Sequence, residues 1–174
     1  MTGRAEELMA ELLEELGWGA DDEMAPTPKK SVELLSSFVS TADVPAPTWC
    51  VTSSTAPVAL REFPFYSLCV HHLVPFFGTI SIAYQPQGRI AGFGWFARLV
   101  EHYSRRPQLQ ERLAEEVANA VFEGLQAKAV AVRVSARQLC LELSTNHPPS
   151  EVEVLVTRGE ADDQLMGLVA ARGR

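Results

Sequence analysis

The hydrophobic period of this chain changes along its length, and the order of those changes restricts its architecture more than any other feature. Residues Ala5 to Leu16 place Leu8, Met9, Leu12, Leu13 and Leu16 at helical spacing, with glutamates on the other face and Gly17 as a stop. In "PTPKKSVELLSSFVS", Thr27 is suited to cap a second helix, Pro28 to its first position, and Leu34, Leu35, Phe38 and Val39 form the apolar stripe. The period then falls to two. "GTISIAYQP" alternates Ile80, Ile82 and Tyr84 with smaller or polar residues, "VAVRVSA" alternates Val130, Val132 and Val134, and "EVEVLVT" repeats the pattern, all reading as half-buried strands. Between the first two strands lie "GWFARLVEHYSR" and "PQLQERLAEEVANAVFEGLQ", where Leu109, Leu113, Val117, Val121 and Leu125 return to helical spacing. The predicted order is two helices, strands, two helices, strands and a short helical tail from Asp162. The prolines of "TADVPAPTW" mark a loop between an N-terminal helical segment, 1–45, and a main domain, 46–174.

At 174 residues and 47% hydrophobic content the chain suits one ordinary core. Its net charge of -7 offers no basic surface for a nucleic-acid backbone, so no nucleic-acid partner is expected. No apolar run approaches the ~20 residues that span a bilayer, and the acidic, amphipathic N-terminus is unlike a signal peptide. A cytoplasmic protein with no membrane partner is the expectation. Three cysteines, Cys50, Cys69 and Cys140, are an odd number for a disulfide framework and remain available as thiol ligands.

One stretch stands apart from this pattern. "FYSLCVHHLVPFFG", Phe65 to Gly78, places a cysteine and two adjacent histidines inside an apolar run, in a chain with only four histidines. Cys69 and His72 form a C-x-x-H pair whose thiolate and imidazole suit zinc once the backbone turns between them. A catalytic zinc site needs a third protein ligand and an open position. Cys140, just past the strand Val130 to Val134, is the natural candidate, and Cys50, His102 and His147 stay open on spacing alone.

The same stretch resembles the "FYSLCEHHLLPFFG" signature of the GTP cyclohydrolase I family. The similarity continues through "GRIAGFGWFARLVE", "RRPQLQERLAEEV" and "ARQLCLEL" in the family order, and extends to "TPKKS" at the second helix. The resemblance implies a tunnelling-fold subunit of class α+β, an antiparallel sheet backed by two antiparallel helices. It also implies a homo-oligomeric ring, a decamer of two pentamers, with active sites between subunits. It implies zinc held by Cys69, His72 and Cys140, an acid/base histidine at His71, and a purine-anchoring glutamate at Glu111 beside Gln110. The chemistry is coherent: zinc lowers the pKa of water toward ~7, an imidazole titrates near neutrality, and an ionised carboxylate accepts the paired N–H donors of a guanine edge.

The departures from the family pattern gather where a triphosphate would sit. Lys30 keeps the charge of a family arginine, whereas Glu33 reverses that of a family lysine. The family Ser-Lys pair has become Gly94 and Trp95, its neighbouring arginine survives as Arg98, and a later arginine is replaced by Ser144. Each lost charge-assisted bond is worth roughly 1.5–3 kcal/mol, so affinity for a triphosphate should fall by several powers of ten. Gln138 replaces a family histidine, and Val70 replaces the glutamate of the signature. Trp95 is read either as an aromatic face for a planar base or as interface packing.

These residues point to a zinc-dependent cyclohydrolase acting on a guanine-like or aminopyrimidine substrate without a triphosphate, opening or closing a five-membered purine-type ring. Two other readings are kept: ordinary GTP cyclohydrolase I activity giving dihydroneopterin triphosphate, with Lys30 and Arg98 holding the phosphates, and a non-catalytic purine-binding or assembly protein.

Overall fold

The computed structural model describes residues 2–19, 21–39, 43–145 and 149–170. The chain divides into two compact units, 1–40 and 41–174. In the first, helix α1 (Thr2–Glu15) packs on α2 (Thr27–Ser36), with a 3-10 turn at Asp22–Met24 between them. Leu13 and Val32 are buried there. Thr27 is not the cap that the sequence suggests. It lies inside the helix, with Pro26 at the N-cap position and its own hydroxyl 3.7 Å from Met24 Sδ.

The second unit is an α+β domain. Its strands are β1 (Trp49–Val51), β2 (Val58–Cys69), β3 (Pro75–Gln85), β4 (Arg89–Ala91), β5 (Pro107–Gln108), β6 (Ala129–Gln138) and β7 (Glu151–Gly159). Its helices are α3 (Phe93–Ser104), α4 (Gln110–Leu125), α5 (Leu139–Thr145) and α6 (Asp163–Val169). Five strands form one sheet in the order β5-β2-β3-β6-β7, antiparallel except for the two-residue parallel pairing of β5 with the end of β2. β1 and β4 form a separate antiparallel pair.

The alternations read from the sequence become the core. Ile80, Ile82 and Tyr84 of β3 and Val130, Val132 and Val134 of β6 are fully buried in one cluster with Trp95, Phe96 and Leu99 of α3. Leu113, Val117, Val121 and Leu125 of α4 complete that cluster. Leu109 instead stands at the N-cap position of α4. The strands are not half-buried at their centre, however. Ala83, Ala129 and Ala131 face the other side of the sheet, where Leu165 and Val169 of α6 cover them. Alanines are too small to register as an apolar stripe, yet they leave a flat surface on which a helix can lie. Asp162 starts that helix by accepting a hydrogen bond from the Leu165 N–H at 2.8 Å.

β2 is the longest strand and does not alternate cleanly, because its register with β3 shifts between Leu60 and Phe63. Glu62 takes a left-handed conformation (φ 59°) there, its N–H bonded to Ser81 Oγ at 3.1 Å. Among the described residues no helix is long and apolar enough to cross a membrane.

Candidate metal centre

The site lies at the end of the sheet where two strands finish. β2 ends at Cys69, and the chain turns through Val70, His71 and His72 before β3 begins. Two backbone bonds hold this turn, from Cys69 N–H to Val74 O and from Leu73 N–H to Cys69 O, both 2.8 Å. Leu73 adopts φ 53°, the left-handed residue that lets the loop close. The register pairs Leu68 with Pro75 and Phe76 with Gln138, so the β2–β3 turn and the end of β6 share one end of the sheet. Cys140 follows in the first turn of α5.

The result is a convergence of three ligand atoms. Those of Cys69, His72 and Cys140 all lie within 4.8 Å of one another, with Cys69 Sγ 3.6 Å from His72 Nδ1. Two sulfurs and one imidazole suit zinc, and among the described residues these three ligands leave the open position of a catalytic rather than a structural site. Cys69 is buried, Cys140 half-buried and His72 exposed, so the open side faces outward.

The two thiols are unequal. Burial pushes Cys69 up, but hydrogen bonds from the His72 ring, from the backbone at His71 and His72 and from Cys140 outweigh it and hold this thiol below its ordinary value. Cys140 is pushed up, first by burial and then by its bond to Cys69 and that neighbour's charge.

His71 is exposed on the same turn, its ring 6.3 Å from that of His72 and nearly perpendicular to it. Glu111 is exposed in the first turn of α4. Gln110 beside it is buried, and its Nε2 donates to Val134 O at 3.1 Å and Val152 O at 2.8 Å. Gln138 donates from Nε2 to Gln110 Oε1 at 2.6 Å. This amide pair ties α4 to the metal-ligand end of β6.

The remaining anticipated residues are placed differently. Trp95 is 1% exposed, packed edge-on against Phe96, with its indole N–H bonded to Pro45 O at 2.8 Å. It is packed into the core between the segment at Pro45 and Gly124 of α4, so within this chain it is not an aromatic face for a base. Arg98 is exposed one turn on from Gly94, where an added Cβ would meet only Arg98 Nη1 at 3.6 Å. Ser144 spends its hydroxyl on the Cys140 carbonyl at 2.5 Å. Lys30 belongs to the other unit, exposed on α2, where Glu33 pairs with Lys29 at 3.9 Å. Of the alternative ligands, Cys50 is exposed on β1, His102 lies on α3 against Tyr103, and His147 falls outside the described residues.

Two supports had no legible signal in the sequence. Gln108, 1% exposed, donates to Tyr103 O at 3.2 Å and to Glu116 Oε2 at 2.8 Å, and Glu116 also pairs with Arg106. Because β5 pairs Gln108 with Cys69, this network braces the strand end that carries the first thiol. On the other side Arg137 grips Glu142 through two bonds, 3.0 and 2.6 Å, fixing α5 and with it Cys140. The Arg137 guanidinium holds the Glu142 carboxyl below the usual range, as Arg133 does for Glu153. A depressed carboxyl contributes stability above its unfolded pKa and loses it as pH falls through the folded one. Thermal unfolding should therefore move to lower temperature below about pH 4.5, and Arg137→Met should remove part of that acid dependence.

The profile of the family described as GTP cyclohydrolase I matches residues 5–166. The chain belongs to the GTP cyclohydrolase I family. A protein named GTP cyclohydrolase 1 from Fusobacterium nucleatum subsp. nucleatum is 38% identical over 146 residues, covering 80% of this chain and 78% of that one. Another of that name, from Clostridium perfringens, is 44% identical over 97 residues, 56% of this chain; the match spans only about half, 52%, of the relative's own length. Among solved structures, the apo form of archaeosine synthase QueF-Like aligns with a TM-score of 0.51 at 24% identity, covering 64% of this chain and all of that one. That likeness concerns the fold alone and agrees with the tunnelling-fold expectation.

Proposed function

We propose that this family member is a zinc-dependent cyclohydrolase that opens, or in reverse closes, the five-membered ring of a guanine-like or aminopyrimidine compound carrying no triphosphate. The observation that carries the reading is the convergence of Cys69 and His72 of the β2–β3 turn with Cys140 of α5, beside the exposed His71. Zinc bound there would supply a Lewis acid that makes water a competent nucleophile near neutral pH. His71, exposed and next to a ligand, is placed to exchange a proton with a ring nitrogen. Glu111 offers an acceptor-only carboxylate to a donor edge such as the N–H and amino groups of guanine.

The absence of a triphosphate is supported by what stands at the former phosphate positions. Trp95 is committed to the core, Ser144 to its own helix, and Glu33 is an acid paired with Lys29. The ordinary reaction, GTP to dihydroneopterin triphosphate, remains the second reading. The names of the relatives and the exposed Arg98 favour it.

Ring assembly, as a decamer of two pentamers, is part of the same proposal. Among the described residues β7 ends the sheet with an open edge, and β2 is covered on its outer side only at Leu68 and Cys69. Such edges invite pairing with a second copy.

The test is to incubate zinc-loaded protein with GTP, guanosine, guanine and a triaminopyrimidinone, following ultraviolet spectra and formate. Turnover of a triphosphate-free compound is expected. Efficient conversion of GTP alone would sink the altered-substrate reading in favour of the second, and no turnover of any compound with unchanged base binding would favour a non-catalytic protein.

A further inference from the structure

The amide pair behind the metal ligands has a direction, and the direction reaches the site. Side-chain amide oxygens and nitrogens are told apart by their partners. Gln110 Nε2 faces two backbone carbonyls, Val134 O on β6 and Val152 O on β7, at 3.1 and 2.8 Å. Turning this amide over would set an oxygen against two oxygens, and at 3% exposure no water can relieve the clash. Gln110 Oε1 is thereby fixed toward Gln138, where it meets Gln138 Nε2 at 2.6 Å. Turning Gln138 over would oppose two amide oxygens in the same way. Its own oxygen must therefore point away from Gln110, and it does, toward Cys140 Sγ at 3.9 Å.

We propose that Gln138 is a specificity-determining residue that presents a fixed hydrogen-bond acceptor to the substrate beside Cys69, His72 and Cys140. It thereby selects rings carrying an N–H or amino donor at that point. The inference rests on the proposed guanine-like or aminopyrimidine substrate. Cys140 is a weak donor as a thiol and no donor as a zinc-bound thiolate, so Gln138 Oε1 keeps acceptor capacity for a ligand. The histidine of the family pattern at this position can donate or accept according to its tautomer, whereas an amide locked from behind by two main-chain carbonyls cannot change roles. The same lock shows why Gln110 is a positioning residue and not a ligand contact. Both of its N–H donors and one lone pair are spent inside the protein.

The test is calorimetric binding of guanine and of 1-methylguanine, 9-methylguanine and hypoxanthine, which lack the N1–H, the single imidazole N–H and the exocyclic amino group respectively. Wild-type protein is compared with Gln138→Met, which keeps the length of the side chain without its amide, each with zinc and without. In the wild type each loss is expected to weaken binding relative to guanine, one of them by about tenfold through Gln138. In Gln138→Met that single penalty should vanish while the other two stay unchanged. The same three penalties in both proteins would overturn the inference and leave the proposed function standing. A wild type that binds no guanine-type base would overturn both. Gln138→Leu, apolar and likewise without an acceptor, should shrink the same penalty. It serves if the Met variant does not fold, and an unshrunken penalty there counts against the inference equally.

Discussion

Cys140→Ala is expected to leave a folded protein that retains almost no zinc and turns over its substrate at least a thousandfold more slowly. The residue is half-buried in the first turn of a short helix and contributes little to the core. Its removal leaves one thiol and one imidazole, a pair that seldom holds zinc against competing chelators. With the ion gone, the barrier loses several kcal/mol of charge stabilisation, and each 1.36 kcal/mol is tenfold in rate. Metal analysis after dialysis against a chelator, run with circular dichroism, separates this from unfolding. A variant that keeps one zinc per chain would show that Cys140 is not a ligand.

The second large effect concerns the attempt to restore a triphosphate site. Trp95→Lys would return the family residue, but we expect it to destabilise the protein by about 4 kcal/mol or more. Removing a buried large aromatic costs roughly 3–5 kcal/mol, and an unpaired ammonium placed against Phe96 and Gly124 of α4 adds a further penalty. The indole bond to Pro45 O would be lost as well. Gly94→Ser, by contrast, should be nearly neutral, because a Cβ there meets only the end of Arg98. Chemical denaturation of both variants checks the contrast. A Trp95→Lys protein as stable as the wild type would mean that α3 can turn this position outward, and the argument against a triphosphate would weaken accordingly.

Trp95 also shows where reading the sequence stops. The helical stripe of α4 and the alternation of β3 and β6 were legible because each repeats large apolar residues at one spacing. β2 was not, because its bulge and Pro64 break the alternation of "REFPFYSLC". Cys69 and His72 were legible as a pair through spacing. The third ligand was left open on spacing alone, since Cys140 reaches the pair only through the sheet register, about seventy residues later. Family resemblance supplied it. Orientation was the quantity hidden from both routes. Nothing in "GFGWFAR" distinguishes a tryptophan facing a ligand from one facing the core, and nothing in "RPQLQER" marks Gln108 and Gln110 as buried, fully bonded amides.

X-ray absorption at the zinc edge of the purified protein tests the central claim most directly. Two sulfurs at about 2.3 Å and one imidazole nitrogen at about 2.0–2.1 Å, with a light atom completing the shell, are predicted. A shell of oxygen and nitrogen alone, or protein that binds no zinc when it is supplied, would contradict the account.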